Sequence, residues 1–234
     1  MCGRIVLAKD PIENAGFFQL SLFPERILEP DYNLAPSKEV YIIVDKRAED
    51  GTHQRALEIA RWGLVPSWAK DPAIGNRLTN ARSETVSQKP SFREAFARRR
   101  CLVPVDGYYE WYASAQEAAP GRPKKQPFYL HDPQERPLAI AGLYEWWRAG
   151  PSEPWLLTCT LLTRAATPDL ARIHDRMPVI VPPHQWGWWL DNSQRVDVNE
   201  LAPAVLEAHA VSTAVNSSRS SGPALIEPIA FDWE

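Results

Sequence analysis

Apolar residues along this chain fall in short runs separated by proline, glycine and small polar residues, a spacing that predicts strands rather than long helices. The runs are "VYIIV" at 40–44, "ALEIARW" at 56–62, "CLVPV" at 101–105, "YYEWY" at 108–112, "PFYL" at 127–130, "LAIAGLY" at 138–144, "WLLTCTLLT" at 155–163, "VIV" at 179–181 and "HAVSTAV" at 209–215. Fewer stretches carry helical spacing. "SFREAFARRR" sets Phe92 and Phe96 four apart, with Ser91 as the expected N-cap. "PPHQWGWWL", "NELAPAVLEA" and the region from Ile12 to Leu22 predict further short helices. Residues 113–127, "ASAQEAAPGRPKKQP", are small, polar and proline-rich and predict a surface loop. Many strands with scattered helices give an α+β fold, a single domain over 1–234 with a curved antiparallel sheet or barrel-like core and flanking short helices.

Composition sharpens this picture in a few respects. The chain has 234 residues, enough to bury a substantial core. Twenty-two prolines fit short strands and loops better than a helical bundle. A net charge of −3 argues against non-specific attraction to nucleic acid over the whole surface, so any such site must be a local basic patch. Cys2, Cys101 and Cys159 are odd in number and lack metal-ligand spacing, which argues against a disulfide framework or a zinc site. Cys101 and Cys159 sit in apolar runs and read as buried core thiols. Nothing resembles a signal peptide or a membrane span, so the expected compartment is cytoplasmic, nucleoid-associated if the source is bacterial. A monomer is expected. No metal or organic cofactor is expected.

Five stretches set polar residues among apolar or aromatic ones: "MCGR" at 1–4, "RWGLVPSWAKD" at 61–71, "TNARSET" at 79–85, "DGYYEW" at 106–111 and "IHDRMPVI" at 173–180. Each has a bland reading. Asn80 and Arg82 fit a turn cap, Glu110 fits the solvent face of a strand, and His174-Asp175-Arg176 fits a surface turn before Pro178. Together they supply a nucleophile, a carboxylate, an imidazole and an amide, the inventory of a catalytic site. The run Arg98-Arg99-Arg100 reads as a solvated helix end.

Cys2-Gly3-Arg4, Trp62-Gly63-Leu64 with Pro66 and Trp68, "NARSET", "GYYEW", "IHDRMP" and the late "AVNSSRSSGPALIEP" occur in this order over nearly the full chain. That series resembles the SOS response-associated peptidase family, which includes sensors of abasic sites in DNA. The resemblance implies a mature chain starting at Cys2, self-removal of Met1, and a covalent link from Cys2 to abasic sites in single-stranded DNA. It implies catalytic roles for Cys2, Asn80, Glu110 and His174: Glu110 as proton shuttle, His174 as donor to the sugar oxygen, Asn80 as an orienting amide. It implies DNA contacts from Arg4, Trp68, Arg82, Asn216 and Arg219. The segment from Asn216 to Gly222 departs from relatives, which are richer there in asparagine and acidic residues.

The residue types suit that chemistry. An opened abasic sugar exposes an aldehyde, and an N-terminal cysteine offers amine and thiol to one carbon. The α-amine has a reference pKa of about 7.7–8.0, so an appreciable fraction is neutral at pH 7. It adds to the aldehyde and loses water to give a Schiff base. The thiol of the same residue then closes a thiazolidine ring with the rate advantage of a held pair. The expected enzyme is a crosslinking protein with autopeptidase and lyase activity. Two other functions fit the same residues: a cysteine hydrolase, with Cys2 attacking peptides in trans and His174 as base, and a non-catalytic binder of single-stranded DNA through tryptophans and arginines.

Overall fold

A computed structural model describes residues 2–10, 12–119 and 122–233, with side chains for all of these except 114–119 and 122–124. Its core is a closed ring of five strands: β4 (Glu39–Arg47), β5 (His53–Trp62), β7 (Arg100–Val105), β10 (Leu138–Trp147) and β11 (Leu156–Ala165). The order β11-β10-β7-β4-β5 returns to β11 through a parallel pairing of Thr158 with Arg61 and Cys159 with Trp62. The unbroken apolar run Val40–Val44 is buried throughout, as expected of a strand covered on both faces. Cys101 and Cys159 are fully buried in this core, as their apolar runs imply.

A second sheet, in the order β13-β9-β8-β1-β3, packs beside the barrel. It holds β1 (Ile5–Leu7), β3 (Asp31–Leu34), β8 (Gly107–Ala119), β9 (Arg122–His131) and β13 (Glu207–Ala210). The chain passes from barrel to second sheet at Asp106-Gly107. The Asp106 carboxylate accepts from the backbone of Ala8 at 2.6 Å and Lys9 at 3.0 Å. A side chain on Gly107 would come within 2.5 Å of the Tyr129 ring, so only glycine fits the corner.

Two short strands flank β11: β6 (Asn80–Arg82) in parallel and β12 (Arg176–Pro178) antiparallel, with β6 reached by a long loop from the end of β5. Gly63 opens that loop at φ +134, and its ideal Cβ would lie 2.6 Å from Gly75 O. The loop closes on itself through Leu64 N–H to Leu78 O at 3.1 Å and the Trp62 indole to Thr79 O at 2.8 Å. The remaining strand, β2 (Leu20–Leu22), and helices α1 (Ala15–Phe18), α2 (Arg93–Arg98) and α3 (Trp186–Leu190) are short and peripheral.

Several sequence expectations are corrected. Much of the loop expected at 113–127 is strand, because β8 and β9 continue as a long hairpin; residues 120–121 lie outside the described residues. The helix expected over "NELAPAVLEA" is one 3-10 turn, Val198–Glu200, followed by irregular backbone through Leu206, which includes Pro203, and then β13. The region from Ile12 to Leu22 holds only α1, which stops at Gln19 in the left-handed conformation before β2 begins. Phe92, not Ser91, occupies the cap position of α2, with its ring buried and no side-chain cap bond. Residues 179–181 make barrel hydrogen bonds on both sides without forming a strand, Val179 N–H reaching Leu162 O at 2.9 Å and Val181 N–H reaching Ala139 O at 2.9 Å.

The arginine run is not a solvated helix end. Arg100 is 1% exposed. Its guanidinium donates to Trp189 O at 2.7 Å, Phe96 O at 3.0 Å, Gln194 O at 3.2 Å and Asp191 O, joining the ends of α2 and α3. Arg99 pairs with the buried Glu145 at 2.8 Å. Arg98 alone behaves as expected, exposed and paired with Glu94 across one helical turn.

Candidate active site

The amino-terminal residues run alongside β8. Ile5 pairs with Tyr108, and Tyr109 N–H donates to Arg4 O at 2.9 Å, which aims the chain start toward Glu110. Cys2 is fully buried. Its carbonyl accepts from Asn80 Nδ2 at 2.8 Å, so the amide at the start of β6 holds the backbone of the cysteine. Met1 lies outside the described residues.

Glu110 is 3% exposed, against the bland reading of a solvent-facing strand residue. Burial pushes its carboxyl up from the ordinary 4.5 to about 7, although the positive charge of the amino terminus works in the opposite direction. Near neutral pH it therefore both gives and takes a proton. The Cys2 thiol is also pushed well up, first by burial and then by the negative charge of Glu110, and it stays protonated.

His174 brings its Nε2 to 3.9 Å from Glu110 Oε2. Burial holds its pKa below the ordinary imidazole value. The neutral ring has one N–H, and two groups compete to decide which nitrogen carries it. Arg176 N–H donates to Nδ1 at 2.9 Å, while Asp175 Oδ1 also lies 2.9 Å from Nδ1. The first contact leaves the proton on Nε2, facing Glu110; the second draws it to Nδ1.

Cys2, Asn80, Glu110 and His174 are thus brought together, although they come from four separate stretches of the chain. Among the expected DNA-contacting residues, Arg82 is exposed and two positions beyond Asn80 on β6, on the same strand face. Trp68 is 59% exposed on the loop between β5 and β6, far more than the edge of a core tryptophan. Arg4 is half-buried, with its Nη1 bonded to Asn33 Oδ1 and to Val215 O at 3.1 Å and its guanidinium over the Trp111 ring. Asn216 is exposed, and its Oδ1 accepts from Trp111 Nε1 at 2.6 Å. Arg219 is exposed on the segment that follows.

Sequence reasoning missed two supporting features. Asn33 is buried and donates to Ser217 O at 2.9 Å and Ser220 O at 3.0 Å, tying the late segment to β3 beside Arg4. Nothing in "DYNLAP" signals this, because both partners lie far along the chain. Glu84, in "NARSET", forms a two-pronged ion pair with Arg176 of "IHDRMP", with Nη2 at 2.9 Å from Oε2. The pairing of acid and base between two motifs was its one sequence signal. Among the described residues no cluster of three or more His, Cys, Asp or Glu is arranged to hold a metal ion. No helix among them is long and apolar enough to cross a membrane.

A family model described as SOS response associated peptidase matches residues 1–218. The chain belongs to this family. A relative within it, YoqW of Bacillus subtilis (strain 168), named an abasic site processing protein, is 37% identical over 235 residues, covering 97% of this chain and 99% of that one. HMCES of Pongo abelii, which carries the same description, is 28% identical over 98% of this chain and 76% of its own. A crystal structure of a Bacteroides thetaiotaomicron protein shares the fold, with a TM-score of 0.81 at 23% identity over 98% of this chain and all of the other. Family membership accounts for the order of the sequence motifs, and the geometry shows what that order builds: four motifs meet at Cys2, Asn80, Glu110 and His174.

Proposed function

We propose that this protein processes abasic sites in DNA by capturing them covalently through Cys2, after loss of Met1, in single-stranded DNA. The relatives' names support the abasic-site part of this reading. The observation that carries the chemistry is the placement of Glu110, buried and poised at about 7, against the cysteine whose backbone Asn80 holds. In the first step the free α-amine of Cys2 adds to the aldehyde carbon, and Glu110 protonates the hydroxyl that leaves as water. His174 donates from Nε2 to the sugar oxygen, favouring the open aldehyde. In the second step the thiol sulfur bonds to the same carbon, and its proton passes to the ring nitrogen. One water is released overall and no redox partner is needed.

The protonated thiol suits this order of events, since the amine attacks first and the thiol closes the ring within the same residue. It suits peptide hydrolysis in trans less well, where a thiolate is the attacking species. Trp68 and Arg82 are the exposed groups for base stacking and phosphate contact, and both are proposed to lie on the DNA path. The test is incubation with a single-stranded oligonucleotide carrying one abasic site, read on a denaturing gel. A shifted band that needs the lesion and vanishes in Cys2→Ala supports the reading; a band of equal strength with either control removed contradicts it.

A further inference from the structure

We propose that Glu84 is a positioning residue for His174, acting through Arg176 to keep the imidazole proton on Nε2, where it faces Glu110. The inference rests on the reading that His174 and Glu110 act together on the abasic sugar.

The geometry begins with β11, which carries β6 on one edge and β12 on the other. Thr163 of β11 is the register partner of both Arg82 and Pro178. Asn80, which holds Cys2, and His174, which faces Glu110, therefore arrive on opposite flanks of one strand. Glu84 and Arg176 join across that strand. Arg176 meets both carboxylate oxygens of Glu84 and also donates to Thr163 O at 2.7 Å. Its side chain is 12% exposed and that of Glu84 is 50% exposed, so one end of the pair is buried and the other anchors it from the surface. The Arg176 guanidinium beside it holds the Glu84 carboxyl down at about 2, so the pair stays charged throughout the neutral range.

The consequence falls on the backbone of Arg176. Its N–H donates to His174 Nδ1 at 2.9 Å, and a nitrogen that accepts a hydrogen bond cannot carry the ring proton. Asp175 competes for the same nitrogen from 2.9 Å but is 85% exposed, so it is solvated and free to turn away. Among the described residues Glu110, Asp175 and Lys125 act on the ring, and of these Asp175 is the group that draws the proton to Nδ1. While Glu84 fixes Arg176, its N–H holds Nδ1 and the proton sits on Nε2. When the clamp is loosened, Asp175 takes an Nδ1–H and Nε2 turns into an acceptor, which has no proton to offer the sugar oxygen.

Nitrogen-15 NMR of the His174 ring in the full chain, assigned with His174→Asn, reads the tautomer without reference to DNA. The wild type is expected to show the Nε2–H form, and Glu84→Gln a mixture with substantial Nδ1–H. In parallel, the crosslinking rate at saturating abasic DNA is expected to fall on the order of tenfold, as for a small misplacement of a reacting group, while the DNA concentration for half-maximal rate stays within about twofold. Glu84→Asp, which keeps the charge with a shorter reach, is expected to recover part of both, and it replaces Glu84→Gln should that variant fail to fold. An unchanged tautomer in the loosened variant overturns the inference whatever the rate does. A wild type that forms no crosslink overturns the proposed function instead, and the tautomer then decides the role of Glu84 alone.

Discussion

Replacing Glu110 with glutamine is expected to remove a loss of stability that the wild type suffers as pH rises through neutrality, while impairing its chemistry. The carboxyl is raised from the ordinary 4.5 to about 7 because it is buried. A group raised in the folded state contributes stability that is fully present below its unfolded value and is lost as pH rises through its folded value. The wild type therefore loses stability between about pH 4.5 and 7, as the unfolded chain ionises this group and the folded chain resists doing so. Linkage with these two values gives a loss on the order of 2 kcal/mol between pH 5 and pH 8 from this residue alone. Glu110→Gln has no such proton to lose. The observable is the difference between the two proteins' pH dependences, which cancels any pH-independent cost of the amide. Urea unfolding followed by tryptophan fluorescence at pH 5 and pH 8, on samples matched at their N-termini by intact mass, supplies it. Glutamine should gain on the wild type by roughly 2 kcal/mol across that interval. Parallel profiles, within about 0.5 kcal/mol, would refute the claim that Glu110 is held near neutrality by burial.

Two further substitutions test the frame that carries the site. Gly63→Ala places a side chain at φ +134 and 2.6 Å from Gly75 O, and should cost about 2–4 kcal/mol in urea or thermal unfolding; a loss below about 0.5 kcal/mol would show that the loop to Trp68 and Asn80 relaxes freely. Arg100→Met removes a buried charged donor from the carbonyls of Phe96, Trp189, Asp191 and Gln194, and should cost about 3 kcal/mol by the same assay. A neutral effect would mean that water satisfies those carbonyls.

How much of this was legible in the sequence differs between fold and site. Strands such as Val40–Val44 and Leu156–Thr163 announce themselves, because β-branched and apolar runs bounded by turn residues have few other uses. The hairpin arm at 113–119 did not, since small polar residues pair as strands once Tyr108–Tyr112 has set the register with β9. "NELAPAVLEA" has helical composition, but Pro203 interrupts it and the tail of the segment finds an open edge on β9. Arg100 looks like Arg98 and Arg99 in the sequence; the carbonyls of Phe96, Trp189, Asp191 and Gln194 distinguish it. In the site, the motifs named the four central residues, while their meeting depends on β6 and β12 flanking β11, a long-range arrangement that local pattern does not encode. Asn33 was hidden for the same reason, and the pair Glu84–Arg176 showed only as an acid and a base in two separate motifs.

In the proposed reaction the amine and thiol of one residue close on one carbon. Intact-mass measurement of the product with abasic single-stranded DNA, without any reducing agent, tests it most directly. Ring closure is expected to give a single adduct equal to the chain lacking Met1 plus the oligonucleotide less one water, stable to denaturation and absent in Cys2→Ser, whose Schiff base reverses. An adduct that retains Met1, or one that persists equally in Cys2→Ser, would contradict it.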